Sequence, residues 1–424
     1  MNTIPIPPGL ETRIFVLEEN ALHHIPAVLN SYWGGKRPWI VCDENTWKAA
    51  GKSVYEIVCS LDPFDPLILP GTPKVHPDWS LACELEKKMP EDCVPLAVGS
   101  GVINDLIKTA SGIRKCTYCC VPTAASVDGY TSSGAALSVN GLKKTVPCPA
   151  PLAVVSDTLV LKTAPPEMAV SGYGDLATKI VAGADWIIAD IMKADPVRDT
   201  WDMVQGDLEN RLRDPADLGS IFLGLAATGY AMQKDGDSRP ASGAEHLLSH
   251  IWEMEGLSFN GEEVSHGFKV SVGTVITARL MQFVLDTAVE QAVNMAKTAL
   301  TKEERSAEIA RLLVKGCYGS GVEDVAMAKF KEGDAIVQHR NMIYANWETL
   351  QAGLKKQFDR FGNIEKLLSD AGCPIRPSEI GLSTEQFIHA VHTAQLIRNR
   401  YTILDLLYET GLLDAAVDRM FKDF

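Results

Sequence analysis

Histidine is scarce in this 424-residue chain, nine in all, and basic charge is outweighed: 40 Lys and Arg stand against 54 Asp and Glu, a formal net charge of -14 at pH 7. Such an acidic balance excludes phosphate-backbone binding by the protein as a whole, because that needs a clustered basic face. No nucleic-acid partner is expected, and an anionic small substrate would need its own local basic pocket. The opening residues, MNTIPIPPGLETRIFVLEEN, lack the basic start and apolar core of a secretory signal. The longest apolar run, IFLGLAATGYAM, is too short to span a bilayer. The expectation is a cytoplasmic protein with no membrane span. No repeat period or low-complexity tract is evident. Ten cysteines in so long a chain do not make a disulfide scaffold. Cys116 and Cys119 have the two-residue gap of a zinc ribbon, but no second pair follows, Cys148 included. With Cys120 they lie in a β-branched, aromatic stretch, TYCCVPTAAS, which reads as a strand carrying buried thiols.

What is present is ample apolar material, 46% of residues with 22% charged, enough for two or three ordinary cores. The first part alternates short apolar runs with helical patterns. RPWIVCDE, DPLILPG, CVPLAVGSG, TYCCVPTAAS and PLAVVSDT read as strands, and the segments between them as helices. Alternation of this kind, with runs apolar on both faces, predicts an α/β domain built on a parallel, doubly wound sheet. From about Pro165 onward the apolar residues recur at helical spacing, as in GDLATKIVAGADWIIADIM and GTVITARLMQFVLDTAVEQAVNMAKTAL. The expected division is an α/β nucleotide-binding domain over 1–165 and an all-helical domain over 166–424.

Three groups of residues could carry chemistry. In AVGSGVINDLIK a strand, a glycine turn and a helix start follow one another, so Gly99, Ser100 and Gly101 would let backbone N–H groups approach a phosphate at the helix N-terminus. Asp43, ending an earlier strand, suits either a ribose hydroxyl or the N-cap of the helix that follows. Thr123, Ser126, Asp128, Thr131, Ser132 and Ser133 crowd hydroxyls and a carboxylate just after a strand, where doubly wound sheets hold ligands or where a polar turn stabilises itself. Asp175, His246 and His266 sit beside glycines; one carboxylate and two imidazoles suit a divalent ion with a position left open. His250, one helical turn after His246, would face the same cavity.

These segments resemble the metal-dependent polyol dehydrogenase superfamily, which includes glycerol dehydrogenase, iron-containing alcohol dehydrogenases and 3-dehydroquinate synthase. Within it, PTAASVDGYTS, SGYGDLATK and SRPASGAEHLLSH are similar to the glycerol-1-phosphate dehydrogenases, and the matching segments run in family order from about residue 37 to 275. The resemblance implies a Rossmann-like domain followed by a helical, metal-binding domain. It implies that Gly101 and Asp105, with the residues between them, hold the NAD pyrophosphate, and that Thr123, Ser126 and Ser132 touch the cofactor. Asp128 matches a substrate-binding aspartate, His250 a substrate-contacting histidine, and Asp175, His246 and His266 the metal ligands, with Asp175 also near the substrate as a catalytic residue. The activity implied is NAD- or NADP-dependent reduction of dihydroxyacetone phosphate to sn-glycerol 1-phosphate, with zinc first as the metal and nickel or iron accepting the same donors. A homo-oligomer is the family's default. Alternatives are a glycerol or other small-polyol dehydrogenase and a dehydroquinate-synthase-like cyclase. Arg239, Lys179 and Lys269 are the cations near the motifs that a substrate phosphate would need. The chain departs from the pattern at Ser100, which replaces a glycine, and over 62–92, which is longer than usual.

Overall fold

Every side chain of Cys93–Gly99 is buried, as are all those of Cys119–Pro122 and Ala153–Asp157. Strands without a polar face belong in a parallel sheet covered on both sides. In the computed structural model, which describes residues 1, 3–139, 142–315, 318 and 321–421, they lie in such a sheet. Its members are β1 (Ile14–Glu18), β2 (Arg37–Asp43), β3 (Leu67–Leu69), β4 (Cys93–Gly99), β5 (Cys119–Pro122) and, after the antiparallel hairpin β6 (Gly134–Val139) and β7 (Leu142–Pro147), β8 (Ala153–Asp157). The six run in the order β1-β8-β5-β4-β2-β3, all neighbours parallel. The expected α/β architecture is the one the chain adopts. Cys119 and Cys120 are buried strand thiols, and burial pushes the Cys119 thiol up to about 12.

This order contains a switch point. The chain leaves β2 for β3 on one side and β4 for β5 on the other, which opens a crevice at the carboxyl ends of the strands between. Register sets Val41 opposite Ala97 and Gly99 opposite Pro122. Asp43, Gly99 and Thr123 therefore stand at the ends of three adjacent strands.

Six helices matter for the site: α1 (Gly101–Arg114), α2 (Pro166–Ala177), α3 (Lys179–Ile191), α4 (Leu218–Asp235), α5 (Ala244–Met254) and α6 (His266–Asp286). The chain forms two compact units, one of 1–176 with 210–238 and the other of 177–209 with 239–424. The change of sequence character at 165 thus falls inside the first unit, which takes α4 and nearly all of α2. The reason is aromatic packing: Phe222 and Tyr230 of α4 lie edge-on to Phe15 of β1 at 5.9 and 6.3 Å between centroids, and Phe222 meets Tyr130 at 5.4 Å. Helical periodicity marks a helix without saying which core it joins.

The second unit is helical. Its core gathers Ile188 of α3, Leu248 and Trp252 of α5, and Val272, Ile276 and Leu280 of α6, with Trp347, Leu350 and Leu407 from later helices. Among the described residues its only strands are the two-residue pair Ser258–Phe259 and Glu262–Glu263. By length and composition α6 could cross a membrane, but 72% of its apolar window is buried, as befits the central helix of such a core.

Candidate active site

In the first unit the cofactor candidates cluster by strand register. A Cβ placed on Gly99 would lie 2.6 Å from Ile103 Cβ, so only glycine lets α1 start directly off β4. Ser100 is the N-cap residue and its side chain makes no cap hydrogen bond. The first N–H groups of α1, like those of any helix, have no partner within the helix and point out of its N-terminus. Thr123 N donates to Gly99 O at 3.1 Å, tying the loop after β5 to this turn. Asp43 Oδ1 accepts from the N–H groups of Asn45 and Thr46, both at 2.8 Å, as a helix cap.

Other candidates hold the loop together. Ser126 and Tyr130 hydroxyls are 3.3 Å apart, and Tyr130 donates to Ala124 O at 2.7 Å. Asp105 Oδ2 accepts from Ala136 N at 3.2 Å, anchoring α1 to the hairpin. Sequence reasoning missed Lys108. Its buried ammonium donates to Gly129 O at 2.6 Å, Gly134 O at 2.9 Å and Ser132 Oγ at 3.2 Å, closing the turn from 129 to 134 around one cation. A lysine inside an amphipathic helix pattern gives no warning of that role.

Asp175 owes its position to Gly172. A Cβ on Gly172 would lie 1.7 Å from Ala125 O, so α2 runs against the backbone of the 123–128 loop and admits nothing larger there. One turn later on the same face, fully buried Asp175 accepts from Asp128 N through Oδ2 at 2.9 Å.

In the second unit α5 and the start of α6 bring three histidines together. The ring centroids of His246 and His266 are 5.2 Å apart, and those of His246 and His250 are 6.5 Å apart. Each ring has its Nδ1 toward a buried carboxylate. His246 Nδ1 is 2.7 Å from Glu245 Oε1, His250 Nδ1 is 3.2 Å from Glu253 Oε2, and His266 Nδ1 is 3.5 Å from Glu253 Oε1. Lys269 Nζ lies 2.9 Å from Glu253 Oε1 and keeps that acid compensated out of water. Imidazole Nδ1–H directed at a carboxylate fixes the tautomer with the lone pair on Nε2, the arrangement of histidines that ligate metals. Glu253 and Glu245, like Lys108, are residues that sequence reasoning missed. The one available signal was the three-residue spacing of Glu253 from His250 on a helix face.

Behind the histidines lies a buried charge cluster. Burial raises Glu245 to about 7, and burial followed by the nearby Glu245 raises Asp185 to about 7. Asp185 accepts from Ala244 N at 2.7 Å and Ile403 N at 2.6 Å. Arg239 is 1% exposed, donating to Asp185 O at 3.0 Å and Tyr401 O at 3.2 Å, with Asp195 Oδ2 3.2 Å from its Nε. Its guanidinium is thus fastened inside the second unit. Lys179 and Lys269 are buried as well.

A protein of Bacillus velezensis named glycerol-1-phosphate dehydrogenase [NAD(P)+] is 30% identical over 391 residues, spanning 89% of this chain and 86% of its own. The chain belongs to the glycerol-1-phosphate dehydrogenase family. As a member it is an oxidoreductase, and residues 16–165 match the family model described as iron-containing alcohol dehydrogenase. Solved structures bear the same fold. The iron-containing alcohol dehydrogenase of Thermococcus thioreducens aligns with a TM-score of 0.58 at 16% identity, covering 98% of this chain and 99% of its own. Glycerol dehydrogenase from Schizosaccharomyces pombe aligns at 0.53 and 16%, covering 96% and 90%. A glycerol-1-phosphate dehydrogenase family fold therefore accounts for the sheet, its switch point and the helical unit that follows.

Proposed function

We propose that this protein reduces dihydroxyacetone phosphate to sn-glycerol 1-phosphate with NADH or NADPH and one divalent ion, zinc first. The observation that carries the reading is the imidazole pair His246 and His266, each with Nδ1 directed at a buried glutamate. Asp175 is assigned as the third ligand, as the resemblance of its segment to the family implies. Two imidazole nitrogens and a carboxylate oxygen suit zinc, and nickel or iron accept the same donors. The similarity to proteins named glycerol-1-phosphate dehydrogenase supports the substrate.

When bound, the ion supplies Lewis-acid polarisation of the carbonyl and the nicotinamide supplies the hydride. The chain's own residues bind and orient. Gly99, Ser100 and Gly101, with the first amides of α1, cradle the pyrophosphate, and Thr123, Ser126 and Ser132 flank it. Asp43 keeps Oδ2 for the ribose while Oδ1 caps its helix. Asp128 fixes a substrate hydroxyl. His250, its Nδ1 on Glu253, presents Nε2 to the substrate oxygen and, as the imidazolium with both ring nitrogens protonated, passes it the Nε2 proton.

The test is NADH oxidation by metal-loaded protein with dihydroxyacetone phosphate and unphosphorylated dihydroxyacetone in parallel. A preference for the ester of about a hundredfold in kcat/KM, ~2.7 kcal/mol, is expected. Equal rates would move the protein to the small-polyol dehydrogenases, and silence with both would sink the reading.

A further inference from the structure

The catalytic residues leave the C-terminal helices without a task. A cavity of about 130 Å³ opens among them, lined by residues from Lys297 to Asp414 and sharing none with the histidine cluster. Its charge differs from the chain's. Five cations line it, Lys297, Arg305, Lys329, Lys331 and Arg340, against four carboxylates, in a protein whose formal net charge is -14.

Pairing uses up the carboxylates. Lys329 Nζ is 2.6 Å from Asp405 Oδ1, and Lys331 and His339 both bind Glu409. Arg305 Nη1 meets Glu308 at 2.8 Å, and Lys297 holds Asp414. Arg340 is left over. Among the described residues it makes no ion pair, and its Nε donates to a backbone oxygen, Glu409 O, at 2.6 Å. Its Nη2 lies beside Gly411, where an added Cβ would come within 3.1 Å of it and within 2.7 Å of the Lys297 backbone. Glycine keeps that wall open.

A second donor lacks an acceptor. Arg305 is 2% exposed, and its Nε is buried with no hydrogen-bond partner among the described residues. A buried, unmatched guanidinium N–H costs free energy until an acceptor arrives. The guanidinium is already immobilised over the Tyr408 ring at 4.1 Å, so little ordering remains to oppose binding.

We propose that this cavity binds a small organic anion through a carboxylate or phosphate group, which accepts from Arg340 and from Arg305 Nε, with the ligand's carbon skeleton against Phe330 and Tyr408. One excess cation calls for one anionic group, and planar guanidinium forks match both chemistries. The site lies outside the reaction centre and makes the enzyme a binder of a second metabolite.

Calorimetric titration of the full-length, metal-loaded protein with malonate and, separately, inorganic phosphate tests this, with Arg340→Glu and Arg340→Lys alongside. Wild type is expected to bind at least one of the two. The Arg340→Glu protein should bind that anion about tenfold or more weakly, with unchanged turnover, and Arg340→Lys should fall between. Binding of phosphate alone or malonate alone names the group that the site reads. Equal affinity in wild type and Arg340→Glu, or no binding of either anion by wild type at tens of millimolar, overturns the proposal.

Discussion

Glu253 is 3% exposed and faces two imidazoles and an ammonium at once. Replacing it with glutamine keeps the shape but turns an amide NH2 toward a ring or toward Lys269 and leaves that lysine undercompensated. Glu253→Gln should lower metal affinity about 10–100-fold, by removing the acceptor that orients a ligating ring, and cost about 3 kcal/mol of stability. Competition with a chromophoric chelator and urea unfolding read the two effects. The roles proposed for the histidines separate in the same assay: His246→Ala should lose both bound metal and turnover, whereas His250→Ala should keep the metal and lose turnover. Equal metal loss in both variants would sink that division. At this scale the histidines were legible because they are few and stand beside glycines. Glu253, Glu245 and Lys108 were not, since acids and lysines on an amphipathic pattern ordinarily mean a solvated face, and only the tertiary fold buries them.

Elements show where local rules decide and where they yield. β2, β4 and β8 were legible because an unbroken apolar run has one home, a doubly covered sheet. β1 and the hairpin β6–β7 escaped notice: IFVLE follows a proline-rich start, and the hairpin's alternation of buried Ala135 and Leu137 with half-buried neighbours is brief. The segment from Gly174 to Met192 read as one helix, yet it divides at Thr178 into α2 and α3. α2 depends on one contact. Gly172→Ala must push a methyl into Ala125 O, and separating the helix from the loop should cost about 3 kcal/mol and reduce bound metal through Asp175; chemical unfolding and metal analysis check both. Asp185 joins two elements by accepting from the first amides of α5 and of the helix Ile403–Thr410. Its folded pKa of about 7 lies above the ordinary 3.8. A raised acid holds its proton in the fold, so its contribution to stability is complete below about pH 4 and is lost as pH rises through 7. Asp185→Asn, which keeps a neutral side chain but only one acceptor oxygen, should be less stable than wild type, by a margin wider at pH 5 than at pH 8. Urea unfolding at the two pH values measures this, and a margin that widens with pH would contradict it.

The whole molecule is two units threaded through one another along the chain, with crossings after 176, 209 and 238. A fragment ending at 165 therefore lacks the aromatic face of α4 that covers Phe15 and Tyr130. Such a fragment should show no cooperative urea transition and no fixed near-ultraviolet dichroism, whereas 1–176 joined by a short Gly/Ser linker to 210–238 should show both. Cooperative folding of the shorter fragment would mean that α4 is dispensable to that core. The same threading bears on how the protein is made. The last sheet strand ends at Asp157 and α4 only at Asp235. At about 5–20 residues per second, a ribosome takes roughly 4–16 s to cover that gap. For those seconds a finished sheet waits with one aromatic flank bare, while part of the other unit emerges ahead of the helix that will seal it. Nascent chains of this protein should accordingly be clients of holding chaperones at lengths between those two points, and should leave them once α4 has cleared the exit tunnel.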